Sequence, residues 1–99
     1  MKMYIAGQWV DRDNTMLVLN PFDQSIVDAV PKGSAADVEL AINSAARGAG
    51  VMGKMPAYER YAILRRTADL MAERSEDLAK TITNEEGKVI AEGLSLIHI

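Results

Sequence analysis

The chain contains no cysteine among its 99 residues, an absence that removes disulfides, thiolate zinc sites and a cysteine nucleophile together. The redox compartment is left open. There is one histidine, His98, so a two-histidine metal site or a serine–histidine–aspartate triad would have to centre on the penultimate residue, where backbones commonly fray. Glycine and proline are sparse, 7 and 3 residues, which excludes collagen-like and low-complexity architectures. Positive charge is scattered as well: no basic tract of five or more occurs, and the net charge is −3. A nucleic-acid backbone or an anionic membrane surface requires a concentrated positive field, so neither is expected as a partner. No apolar run approaches the ~18–20 residues that span a bilayer, and Met1 to Trp9 lacks the apolar stretch of a signal peptide. A cytoplasmic location is the default expectation.

What the chain does contain is ordinary globular composition, 48% hydrophobic and 25% charged, which can support a packed core. Its length is at or below that of one domain, typically ~100–200 residues. One small domain, or a piece of a larger one, is the expectation.

Pro31 divides two patterns. Before it lie three β-forming runs, Met3 to Val10, Thr15 to Leu19 and Ser25 to Val30, rich in Tyr, Ile, Val, Trp and Leu. Ala6-Gly7 offers a tight hairpin turn within the first run, although alanine tolerates positive φ poorly and one strand with a glycine flaw remains open. Asp11 to Asn14 and Pro21 to Gln24 supply turn chemistry between the runs. After Gly33 the spacing becomes helical. Ser34 is a good N-cap with Asp37 three residues on, and Val38, Ala41, Ile42, Ala45 and Ala49 follow at helical intervals, predicting a first helix over 35–48. Pro56 suits a first helical turn, and Tyr61, Leu64, Ala68, Met71 and Ala72 form one stripe of a second helix over 57–74. Ser75 is positioned to cap a third helix over 76–86, with Glu76 and Asp77 at its positive end and Gly87 to stop it. Two or three short strands followed by three amphipathic helices make an α+β fold, with helices segregated from a small sheet. Val38, Ile42, Ala45, Leu64, Ala68, Met71, Leu78 and Ile82 are the expected core contacts.

Few motifs suggest chemistry. Gly48-Ala49-Gly50-Val51-Met52-Gly53 spells the GxGxxG string that elsewhere lets a backbone approach a pyrophosphate, but it trails a helix instead of following a strand, and a flexible helix–helix linker is expected. Gly87-Lys88 lacks the Ser or Thr and the first glycine of a phosphate-binding loop. Glu85 and Glu86 are adjacent, and neighbouring helical side chains diverge by about 100°, so they do not converge on one bond. The six methionines form no metal-binding run. Tyr4 and Trp9 are expected as core or interface anchors, since only Lys2 and Arg12 accompany them. The residues alone therefore identify no catalytic, cofactor-binding or metal-ligating position.

The order of the pieces says more. Tyr4-Ile5-Ala6-Gly7-Gln8-Trp9-Val10 is followed by Asn20-Pro21, then Val30-Pro31, then Val38-Glu39-Leu40-Ala41-Ile42 with Ala45-Ala46. Glu59-Arg60, Ile63-Leu64, Ala68-Asp69-Leu70, Glu73-Arg74 and Glu85-Glu86-Gly87-Lys88 come after them. This succession over residues 3 to 93 resembles the N-terminal segment of the NAD(P)-dependent aldehyde dehydrogenase superfamily. The run Met55 to Leu64 leans towards the lactaldehyde or phosphonoacetaldehyde dehydrogenase branch.

The resemblance implies a longer parent enzyme that uses NAD or NADP, attacks the aldehyde with a cysteine thiolate and activates water with a glutamate. It also implies a homodimer or homotetramer. None of those catalytic positions, nor the cofactor loop, falls within residues 1–99, so the catalytic, cofactor-binding and metal sets implied for this chain are empty and no cofactor is expected to bind it. The rest of the dehydrogenase chain is the implied partner. Residues 94–99, Leu94-Ser95-Leu96-Ile97-His98-Ile99, depart from the family pattern and read as a β-prone tail not native to it, leaving 1–93 as the family segment. A small non-catalytic α+β interaction module is the rival reading.

Overall fold

The computed structural model describes residues 1–97. Strand β1 (Met3–Ile5) pairs antiparallel with β2 (Gln8–Val10), and β3 (Thr15–Leu19) pairs antiparallel with β4 (Ile26–Pro31). Helices α1 (Ala35–Lys54), α2 (Ala57–Glu73), α3 (Ser75–Glu86) and α4 (Ile90–Ile97) follow. The fold is α+β as the periodicity implies, but the strands form two separate hairpins instead of one small sheet.

The first hairpin turns at Ala6 and Gly7, whose φ values of 52° and 80° are the positive pair that a two-residue primed turn demands because its twist matches that of the strands. Glycine accepts this freely and Ala6 does so under strain. Tyr4 stands opposite Trp9, and their rings meet edge to face with centroids 5.0 Å apart. Both remain exposed on the outer surface, so neither is a core anchor here. The second hairpin runs from Thr15 opposite Pro31 to Leu19 opposite Ile26, with an irregularity at Val18/Leu19. Its turn is built from side chains: Asn20 Oδ1 accepts from the Phe22 N–H at 2.9 Å, and Asp23 Oδ1 accepts from the Ser25 N–H at 3.0 Å.

Three helical expectations need correction. First, α1 does not stop near Gly48; it continues to Lys54, so the three glycines of GxGxxG are helical and form no flexible linker. Ala49, Val51 and Met52 sustain the helix, while Arg60 Nη1 reaches back from α2 to the Met52 and Met55 carbonyls at 3.2 and 2.9 Å. That guanidinium satisfies carbonyls that a helix end leaves without partners. Second, Ser75 is not an N-cap. It lies inside α3, whose cap position is Arg74, with no side-chain cap bond. A single non-helical residue separates α2 from α3, so the Arg74 carbonyl already accepts from Leu78 at 3.0 Å and the Ser75 hydroxyl has no cap role to fill. Third, a fourth helix forms where a β-prone tail is expected. Gly87 ends α3 at φ 75° as expected, and α4 then packs back on α3 through Gly93, buried against Ala79. Residues 98–99 lie outside the described residues.

The core expectation also fails, and for one reason. Among the described residues only Asp37, Ala79 and Gly93 are buried. Val38, Ile42, Ala45, Leu64, Ala68 and Met71 sit on the helices at the expected spacing yet are exposed, Leu64 by 68% and Ile42 by 61%. Only Leu78 and Ile82 are partly covered. The stripes exist, and among the described residues nothing buries them. No helix of the described residues is long and apolar enough to cross a membrane.

Candidate functional site

The most developed polar cluster joins the segment after β2 to the start of α1. Ser34 caps α1 in a reciprocal capping box: its Oγ accepts from the Asp37 N–H at 3.2 Å, while Asp37 Oδ2 accepts from the Ser34 N–H at 3.0 Å. Local spacing foretells this much. The third member comes from outside the helix. Arg12 Nε donates to Asp37 Oδ2 at 3.1 Å and its Nη2 donates to Oδ1, a two-pronged grip, and Nη1 donates to the Asp11 carbonyl at 2.7 Å. Asp37 is 3% exposed and is the one charged residue buried among those described.

The Arg12 hydrogen bonds first, then the Ser34 N–H, hold the Asp37 carboxyl well below the usual carboxylate range, against the opposing effect of burial. Arg12 is correspondingly raised, chiefly by the hydrogen bond to Asp37. A carboxylate held this firmly ionised, with both oxygens already engaged, has no proton to give and little basicity to take one. The cluster is a clasp between hairpin and helix, and it is not acid–base machinery. A shallow depression of about 260 Å³ lined by Asp11, Arg12 and Asp13 lies beside it.

Gly48, Gly50 and Gly53 lie within α1, where their N–H groups face along the helix instead of outward at an N-terminus, so they offer no pyrophosphate cradle. These residues do not fit a dinucleotide. Glu85 and Glu86 are exposed at the end of α3, and Lys88 Nζ lies 3.7 Å from Glu86 Oε2, a solvated ion pair worth little. Among the described residues no group of three or more His, Cys, Asp or Glu could hold a metal ion. His98 lies outside the described residues. Arg12 is the residue that sequence reasoning missed: its partner is 25 positions away, and no local spacing points from one to the other.

The sequence profile described as "Aldehyde dehydrogenase family" matches residues 9–98. The chain belongs to the aldehyde dehydrogenase family. It is 41% identical over 91 residues to the glutarate-semialdehyde dehydrogenase of Pseudomonas putida, an alignment covering 90% of this chain and 19% of that one. Among solved structures, the succinate-semialdehyde dehydrogenase of Burkholderia pseudomallei superposes with a TM-score of 0.91 at 37% identity, over 98% of this chain and 20% of the other. The NAD-dependent benzaldehyde dehydrogenase of Corynebacterium glutamicum superposes with a TM-score of 0.90 at 31% identity, over 98% and 22%. The chain thus spans about a fifth of the length of the dehydrogenases it matches, and it corresponds to an N-terminal segment of the aldehyde dehydrogenase fold. None of these three is named for lactaldehyde or phosphonoacetaldehyde, so the narrower branch draws no support from them.

Proposed function

We propose that the chain is the N-terminal part of an NAD(P)-dependent aldehyde dehydrogenase that oxidises a small aldehyde to the carboxylic acid, and that its own share of the work is scaffolding. The carrying observation is surface left over. The chain exposes 7705 Å², whereas surface scaling assigns about 5,500 Å² to a compact monomer of this mass. Its radius of gyration is 16.8 Å, against about 13 Å for a compact 99-residue domain. The excess, roughly 2,000 Å², is the size of an obligate interface, and its apolar part includes the uncovered stripes of α1 and α2. In this reading the rest of the dehydrogenase polypeptide covers those stripes.

NAD or NADP belongs to the parent enzyme, where it would accept hydride from the aldehyde carbon. None of residues 1–97 is assigned to hold it, because the GxGxxG string is helical and offers no free N–H groups. No catalytic or metal-ligating role is assigned either. The clasp Arg12–Asp37–Ser34 sets the angle at which α1 leaves the hairpins and so the position of the stripe. A homodimeric or homotetrameric parent and a cytoplasmic location are part of the same proposal. So is the division into a family segment, 1–93, and a tail, 94–99. The departure of Leu94-Ser95-Leu96 from the family pattern supports that division, although α4 and the family match both run across it.

Two measurements test the function. Extending the reading frame in the source DNA should uncover a downstream cysteine and a glycine-containing cofactor loop; an intact gene without them would sink the proposal. The 99-residue chain alone, assayed with a panel of small aldehydes and NAD(P), should show no turnover above a buffer blank, and titration calorimetry should detect no cofactor binding tighter than millimolar.

A further inference from the structure

We draw no further inference here: the strongest candidate, the uncovered apolar face that α1 and α2 present through Val38, Ile42, Leu64 and Met71, restates the packing surface already given to the rest of the dehydrogenase chain, and nothing in the structure shows any other occupant.

Discussion

Arg12 grips the carboxylate of Asp37 with two of its nitrogens across a sequence separation of 25 residues. The two partners are unequal. Arg12 keeps 37% of its side chain in solvent and Asp37 only 4%, so an unpaired Arg12 would rehydrate readily while an unpaired Asp37 would stay buried as a carboxylate. Arg12→Ala is therefore expected to lower the thermal midpoint more than Asp37→Asn, whose amide can still accept from the Ser34 N–H. The double substitution should be no worse than Arg12→Ala alone. Circular dichroism melts of the four proteins check this, and additive losses would show that the two side chains do not act as a pair.

The same clasp sets an acid limit. The folded-state pKa of Asp37 is depressed, so its stabilisation is complete above the ordinary carboxylate value of about 3.9 and is lost as pH falls below that value towards the depressed one. Asp23 and Asp28, lowered by hydrogen bonds from Ser25 and from the Ala29 N–H, add in the same direction. Thermal midpoints measured from pH 6 to pH 2 should fall mainly below about pH 4, and Asp37→Asn should flatten part of that fall. An unchanged profile in the variant would remove Asp37 from the account.

Gly87 closes α3 in the left-handed region at φ 75°, and a Cβ built there would lie 3.0 Å from Pro21 Cγ in the turn after β3. Gly87→Ala meets both the backbone strain and the contact, and is expected to cost about 1–2 kcal/mol. Gly87→Asn meets the same contact with less backbone penalty, since asparagine tolerates this region. Urea melts should rank the variants Gly, Asn, Ala in falling stability.

The glycines of α1 make the opposite prediction. Among the described residues nothing lies within 4 Å of a Cβ added at Gly50, and its φ is not in the positive region. Gly50→Ala should stabilise the isolated chain by up to about 1 kcal/mol through helix propensity alone. A loss of stability there would indicate a conformation other than helix.

Leu64→Asp separates the chain from its parent. Leu64 is 68% exposed, so the isolated chain should keep its helical signal and become less prone to associate, as judged by sedimentation. In the complete enzyme the same change would bury a carboxylate against the covering polypeptide and should abolish soluble expression or activity. Tolerance in both settings would show that this stripe is not an interface.

What could be read beforehand follows range. The capping box at Ser34 and Asp37, the αL stop at Gly87 and the hairpin at Ala6-Gly7 are encoded within four residues, and all three are present. Gly48 does not mark the helix boundary, because glycine ends a helix only when its neighbours do not sustain the turn, and here Ala49, Val51 and Met52 do. Arg12 was invisible because its meaning depends on where the hairpin exit meets α1, a tertiary fact. The stripes of α1 and α2 were legible as stripes, but whether a stripe is buried depends on what lies opposite, and the sequence of one face carries no record of that.

The scarcity of buried residues bears on how this chain comes apart. A core shared by many elements makes unfolding all-or-none, because losing one element exposes the rest. Here separate ties hold different pairs: the Arg12–Asp37 clasp joins the segment after β2 to α1, the Arg60 grip on the Met52 and Met55 carbonyls joins α2 to α1, and the Ala79–Gly93 contact joins α3 to α4. Each tie joins a different pair of elements, so native-state hydrogen exchange is expected to show local openings of unequal free energy beneath the global melt.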